Sequence, residues 1–331
     1  MCGDVCVVVE VLRGEVREIT YTMLAAARRL ADGLKTKSPQ ATRCGEVSAL
    51  LIGHQVQKLA GTLGAADRVV CVEHANLAEF NPEGYLRVVA AVLTGHTPRI
   101  VLFAHTAMGT DLACGVARRL KLPLATSCRT FSVEDGEPRY SALTCGGKMI
   151  ATGPLPGPTC LATVMPGGYK ADEGKVNQAP PVETLPVPDL AGVRTRFQQY
   201  IEPPAGDVDI AKQPILVSVG RGMQNKDNIA LAEKLAQALG GVVSGSRPVI
   251  DQEWLPTTRL VGKSGKQVKP KLYLALGISG APEHAEGMRD AELIVAINRD
   301  EKAPIYGFAH LGVAVDVLEL IPALTEKVKP A

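Results

Sequence analysis

The chain has few aromatic residues, no CxxC cysteine pairs and no excess of either charge. One Trp, seven Tyr and five Phe are scattered among 331 residues, with 36 basic and 34 acidic side chains for a formal net charge of +2. Nucleic-acid binders carry basic stripes interleaved with aromatics, so no nucleic-acid partner is expected. Eight cysteines are too few for a disulfide scaffold in a chain this long. None forms a CxxC pair, and Cys6 of the Cys2 and Cys6 spacing already sits in the first apolar run, so buried thiols are expected rather than a metal site or an iron–sulfur cluster. No apolar run approaches the ~20 residues of a membrane helix, so no direct membrane insertion is expected. The run VCVVVEV starts so close to Met1 that no signal or transit peptide is expected ahead of it. These absences predict a bacterial or archaeal cytoplasmic protein.

What is present is the rhythm of an α/β protein. The length suggests two domains with separate cores. In the first half, short β-branched runs (VCVVVEV, VSALLIG, RVVCVEH, RIVLFAH) alternate with amphipathic stretches (ITYTMLAAARRLADGL, YLRVVAAVLTG, DLACGVARRL), the pattern of βαβ units around a mostly parallel sheet. From Phe131 to Gly168 the pieces RTFSVED, PRYSALT, KMIATG and TCLATVM are separated by Gly and Pro and are expected to add antiparallel strands. Prolines cluster in APPVETLPVPDL and IEPPAGD, where they withhold backbone donors. This predicts a first domain over 1–205, a hinge at about 176–212 and a second domain over 213–331. The second domain opens a new series: PILVSVG, a helix from about Lys226 to Leu239, GVVSGS, KLYLALGIS, a short helix near Glu283 to Met288, LIVAIN, PIYGFA and a closing helix from Ala314 to Val328.

Two junctions in that series carry chemistry. Strand PILVSVG runs into Gly220-Arg221-Gly222, and strand KLYLALGIS runs into Gly277-Ile278-Ser279-Gly280. Glycines at a strand-to-helix junction let backbone approach an anion, the helix start offers free N–H groups, and an arginine can fork onto a phosphate. Either junction alone reads equally well as a tight turn. Two of them in one sheet can face one crevice outside the strand carboxyl ends, where doubly wound sheets bind dinucleotides. Ser246-Arg247 and the loop Gly262-Lys263-Ser264-Gly265 lie between them. No GxGxxG with an acidic residue about 20 positions on is present, which weighs against a nicotinamide-dependent oxidoreductase. A subunit with a purely structural nucleotide is a further alternative.

The run from Leu272 to Asn298, LYLALGISGAPEHAEGMRDAELIVAIN, resembles the signature of electron transfer flavoprotein alpha (large) subunits. GRG at 220–222, SR at 246–247, VGKSG at 261–265, AINRDEKAPIY and VAVDVLELIPAL follow in that family's order and spacing, and GTDLACGVARRL is similar to its GRDLAPRVAARL. The resemblance is close over roughly 110 residues.

The resemblance implies an N-terminal βαβ, nucleotide-hydrolase-like parallel sheet with added antiparallel strands, packing on a beta (small) subunit, and a C-terminal doubly wound FAD-binding domain. FAD would be held by Arg221, Gly222, Ser246, Arg247, Val261, Gly262, Lys263, Ser264, Ser279, Gly280, Ala281, Pro282, Glu283, His284, Asn298, Asp316 and Val317. Arg221 and residues 279–282 would take the pyrophosphate and ribityl chain, Asn298 and Asp316 the adenosine end. Arg247 would lie over the isoalloxazine face, Ser264 near N5 and His284 beside the N1–C2=O edge, so that Arg247, Lys263, Ser264 and His284 tune a flavin that gains negative charge on reduction. The chain would carry electrons from a dehydrogenase, such as an acyl-CoA dehydrogenase of fatty acid β-oxidation, to a partner such as a quinone oxidoreductase, the FAD domain swinging on the hinge. It would be a carrier rather than an enzyme with its own substrate; the alternative is a subunit of an NADH-oxidising, electron-bifurcating complex. Three positions depart from the family: Lys263 for Gln, Pro282-Glu283 for Ile-Gln, and His310 for Asp. Lys263 and Glu283 are expected to pair beside the flavin. His54, His74, His96 and His105 show no ligand spacing and are read as structural.

Overall fold

The structure, a computed structural model, describes residues 4–35, 45–147, 149–176, 178–200 and 208–328. It divides into two compact units, Met1–Gln199 and Tyr200–Ala331. Among the described residues no helix is long and apolar enough to cross a membrane.

The first unit contains β1 (Val5–Val8), β2 (Val11–Leu12), β3 (Glu15–Val16), α1 (Glu18–Lys35), β4 (Val47–Gly53), β5 (Arg68–Glu73), α2 (Pro82–Gly95), β6 (Ile100–Ala104), α3 (Ala107–Leu120), β7 (Leu124–Glu134), β8 (Glu137–Thr144), β9 (Met149–Pro154), β10 (Cys160–Val164) and β11 (Val182–Thr184). Its main sheet has the order β11-β5-β4-β1-β6-β10-β7-β8-β9. Strands β1, β4, β6 and β10 are buried throughout, which is why they read as continuous apolar runs rather than alternating ones. Successive side chains point to opposite faces: Val5, Val7, Ala49 and Leu51 pack with Met23, Leu24 and Leu30 of α1, whereas Cys6, Val8, Leu50 and Ile52 pack with Val88 of α2 and Leu112 of α3. The helices start where side chains can cap them. The carboxamide oxygen of Asn81 accepts from Gly84 N–H (3.0 Å) ahead of α2, and Thr106 Oγ1 accepts from Gly109 N–H (3.0 Å) ahead of α3.

Antiparallel pairing does occur, between β7 and β8 and between β8 and β9. TCLATVM is different. As β10 it lies between β6 and β7, parallel to both, and CLATV is buried at every position, a central strand that the sequence of the run does not distinguish from an edge addition.

The stretch read as a hinge begins on the first unit. β11 pairs with β5 in parallel, Arg87 donates to the carbonyls of Asp189 (3.1 Å) and Ala191 (2.7 Å), Arg194 grips the Glu83 carboxylate at 2.6 Å, and Asn81 donates to the Thr195 carbonyl. Residues 182–195 are thereby tied to that unit's sheet and α2. Of the expected hinge, 177 and 201–207 lie outside the described residues.

The second unit contains β12 (Ile215–Val219), α4 (Ile229–Leu239), β13 (Val242–Gly245), α5 (Arg247–Asp251), β14 (Leu272–Leu276), α6 (Pro282–Met288), β15 (Leu293–Ile297), β16 (Leu311–Val313) and α7 (Val317–Val328). All pairs in the order β13-β12-β14-β15-β16 are parallel. Val217, Val219, Leu274 and Leu276 pack on α4 and α7, while Leu216, Tyr273 and Ala275 pack on Met288 of α6. The chain winds from β12 outward to β13 and then back to β14 on the other side, which makes the carboxyl ends of β12 and β14 the point where winding reverses.

Three local expectations shift. A 3-10 turn, Arg221–Met223, intervenes before α4. PIYG at 304–307 is another 3-10 turn, and the edge strand is LGV, as β16. The closing helix starts at Val317 because Asp316 caps it, its carboxylate accepting from Leu318 N–H at 2.8 Å.

Candidate functional site

The two glycine junctions meet. Gly220 N–H donates to the Leu276 carbonyl (2.8 Å) and Gly222 N–H to the Gly277 carbonyl (3.0 Å). Gly277 has φ +64°, and a Cβ there would stand 2.7 Å from the Gly222 Cα, so the close approach of two backbones requires both glycines. The two junctions are not equivalent. The first uses the N–H groups of Gly220 and Gly222 within the fold, leaving Arg221 as an exposed cation whose side chain has no partner among the described residues. In the second, the N–H groups of Ser279, Gly280 and Ala281 donate to nothing among the described residues. Three consecutive free N–H groups after a strand form an anion-accepting concavity. Asn298 fixes the segment, its side chain donating to the Ile278 carbonyl at 2.9 Å, and Gly280 (φ +83°) packs against the backbone of Ile305.

At the carboxyl end of β13, Ser246 N–H donates to the Val219 carbonyl (3.0 Å) and α5 begins with Arg247. The Arg247 guanidinium donates to Asp251 Oδ1 (2.7 Å) and, across 17 positions of sequence, to Ser264 Oγ (3.3 Å). The loop carrying Ser264 is tied down by Val261 N–H to Gly245 C=O (3.0 Å), Gly262 N–H to Lys266 C=O (3.2 Å) and Lys263 N–H to Glu283 C=O (2.7 Å). The link between Lys263 and Glu283 is thus made by backbone. No ion pair joins their exposed side chains among the described residues; the short Lys263–Glu283 backbone bond fixes the loop while both side chains are exposed.

His284 lies in the first turn of α6, 7% exposed. Its Nε2 is 2.9 Å from Tyr273 Oη, which is 2.7 Å from Ser218 Oγ, while Nδ1 is buried with no partner within hydrogen-bond geometry. Burial pushes the imidazole down to about 4, the backbone of Val261 opposing, so the ring is neutral at pH 7. It is a hydrogen-bonding group and not one of the cations of the site.

The residues expected at the adenosine end, Asn298 and Asp316, and the neighbouring Val317 have structural occupations. Asn298 holds Ile278, Asp316 caps α7, and Val317 is buried at 3% in the core beneath, leaving Val317 only its backbone to offer. His310 Nδ1 accepts from Ile294 N–H at 2.9 Å. Sequence reasoning missed Tyr273 and Ser218. The signal available was a Tyr and a Ser inside otherwise apolar strands, and only the register Leu216↔Tyr273 shows that they share a face.

The site fits an FAD. Free amides at 279–281 suit a pyrophosphate, Arg221, Arg247 and Lys263 supply positive charge, and the unpartnered Nδ1 of His284 suits a polar ring edge. A surface cavity of about 330 Å3 beside Trp254 is lined by none of these residues.

Comparison with known proteins agrees. The family model described as "Electron transfer flavoprotein domain" matches residues 5–190, and that described as "Electron transfer flavoprotein FAD-binding domain" matches residues 209–289. The chain is 34% identical over 331 residues to "Electron transfer flavoprotein subunit alpha" of Bacillus subtilis (strain 168), covering 99% of this chain and 98% of that relative. It is 34% identical over 360 residues to "Acryloyl-CoA reductase electron transfer subunit beta" of Anaerotignum propionicum, covering 98% and 95%. It is also 34% identical over 332 residues to "Protein FixB" of Clostridium saccharobutylicum, covering 98% and 96%. The chain belongs to the electron transfer flavoprotein alpha-subunit family, and its second unit is an FAD-binding domain.

Proposed function

We propose that the crevice at the carboxyl ends of β12, β13 and β14 holds FAD, and that the chain, paired with a small beta subunit, carries electrons from a dehydrogenase of the acyl-CoA class to a second redox partner such as a quinone oxidoreductase. Bound FAD supplies the electron-accepting chemistry. The chain's own residues position and polarise it: amides 279–281 and Arg221 would hold the pyrophosphate, and Arg247, Lys263, Ser264 and His284 would surround the ring system. The observation that carries this reading is the Arg247–Ser264 hydrogen bond of 3.3 Å, which brings a guanidinium and a hydroxyl from two separate loops to one strand end. A fixed cation there would favour the reduced, more negative flavin.

A second reading is supported by the relative named as an electron transfer subunit of an acryloyl-CoA reductase. In it, this chain serves a reductase complex in which a second flavin takes electrons from NADH and divides them. A reductive titration of the chain co-purified with its small subunit, followed by absorbance, separates the two. One FAD per heterodimer, reduced in two one-electron steps by the dehydrogenase and not by NADH, supports the carrier. Two flavins, one reduced directly by NADH, support the bifurcating complex. A colourless preparation that FAD cannot reconstitute overturns both.

A further inference from the structure

Behind His284 stands a row of buried polar groups that the flavin contacts leave unexplained. Tyr273 and Ser218 are both 0% exposed in neighbouring strands β14 and β12, and Tyr273 Oη lies between Ser218 Oγ (2.7 Å) and His284 Nε2 (2.9 Å). The phenol has one proton for these two hydrogen-bonding neighbours, with the buried Ser244 hydroxyl also beside it, so its direction decides which ring nitrogen carries the imidazole proton.

Two arrangements are open. If Tyr273 donates to Ser218, Nε2–H donates to Tyr273, the Ser218 proton has no described acceptor, and Nδ1 is a bare lone pair. If Ser218 donates to Tyr273 and Tyr273 to Nε2, every proton of the row is used and the ring carries its own on Nδ1. The second arrangement joins the more acidic hydroxyl to the more basic acceptor and leaves fewer buried groups unmade.

We infer that Tyr273, seated on Ser218, is a positioning residue that fixes the proton of His284 on Nδ1, the ring nitrogen with no hydrogen-bond partner among the described residues, and so presents it as a hydrogen-bond donor to the acceptor edge of the bound flavin. This rests on the reading of the crevice as the FAD site. A merely structural Tyr273 would satisfy buried groups equally well with either tautomer.

The test is the 15N spectrum of the histidine-labelled full chain with its small subunit, first freed of FAD and then reloaded, with His284 assigned by its loss in His284→Asn. Without FAD, Nδ1 is expected to be the protonated nitrogen. Tyr273→Phe is expected to move the proton to Nε2 or divide it between the two, and to raise the FAD dissociation constant about tenfold. Ser218→Ala is expected to retain Nδ1–H, because Tyr273 still has Nε2 to donate to. A proton on Nε2 in the wild type, or a tautomer indifferent to Tyr273→Phe, overturns the inference. Should Tyr273→Phe fail to fold, the wild-type spectrum and Ser218→Ala decide it, since a Tyr273 that donated to Ser218 would turn when the serine is removed. Added FAD is expected to shift the Nδ1–H resonance. An Nδ1–H that FAD leaves unmoved overturns the donor role, while flavin absorbance of the same sample reports separately whether FAD binds.

Discussion

At the carboxyl edge of the first sheet, the polar groups are paired with one another. Thr106 Oγ1 donates to Glu10 Oε2 at 2.5 Å while capping α3, and His105 Nδ1 lies 3.0 Å from Thr163 Oγ1, which accepts from Ser127 N–H at 3.0 Å. Burial holds the Glu10 carboxyl above the ordinary range, with the Thr106 hydrogen bond opposing. At the corresponding edge of the second sheet, three amides and one imidazole nitrogen have no partner among the described residues, and an arginine and a lysine stand exposed. Both edges end parallel strands with helices to follow, so architecture alone does not make a site. The difference lies in unmet hydrogen-bonding capacity, which is costly to leave buried and is retained where a ligand meets it.

The sharpest way to break this contrast is to close the second crevice. Gly277→Ala sets a Cβ 2.7 Å from the Gly222 Cα at φ +64°, where neither backbone can yield without parting β12 from β14. A loss of roughly 3–5 kcal/mol in the second unit is expected, with bound flavin lost. Thermal unfolding and flavin content of the purified heterodimer measure both. Full retention of flavin would mean that the junctions are not the cradle.

A pH titration of stability tests the neutral histidine. Its folded value is about 4 against an ordinary 6.5, so between those values the unfolded chain binds the proton and the folded chain does not. Stability therefore rises with pH across that window, is complete above about 6.5, and is lost as pH falls toward 4; the full difference is about 3 kcal/mol. Denaturant unfolding at pH 7 and pH 4.5 should show a loss of stability at the lower pH that is smaller in His284→Asn by the histidine's share.

How much of this was legible in the residues depends on what each signal encodes. Strand-forming runs such as VSALLIG and IVLFA announce themselves because burial on both faces favours apolar side chains at nearly every position. Burial on both faces also hid the place of TCLATVM, since a strand buried throughout carries no mark of its neighbours or its direction. Arg247, Ser264 and His284 could be named from a motif, yet their meeting depends on loops that fold back through backbone bonds such as Lys263 to Glu283. Tyr273 and Ser218 were invisible as a pair because register between strands, not spacing along the chain, puts them on one face. The cap at Asp316, a local effect, was readable in principle from an Asp ahead of an apolar periodic run.

In the first unit the corresponding change should leave the flavin alone. Thr106→Ala removes the cap of α3 and the partner of Glu10, and is expected to cost about 1–2 kcal/mol with FAD affinity unchanged. A drop in affinity would tie the two edges together and dissolve the distinction between them.

The smallest effect is expected at the departures from the family pattern. Lys263 and Glu283 are exposed and joined through backbone alone, so Lys263→Gln and Glu283→Gln keep the 2.7 Å bond and remove only side-chain charge. Exposed charges without a shared geometry couple weakly, and a double-mutant cycle on stability should close to within about 0.5 kcal/mol. The flavin potential is the more telling readout of the same four proteins. Removing the Lys263 cation should make the flavin harder to reduce and removing the Glu283 anion easier, and the double variant should equal the sum of the two. Additivity places each charge in the field of the flavin independently, whereas a double variant that restores the wild-type potential without additivity would mean that the side chains find one another once FAD is bound.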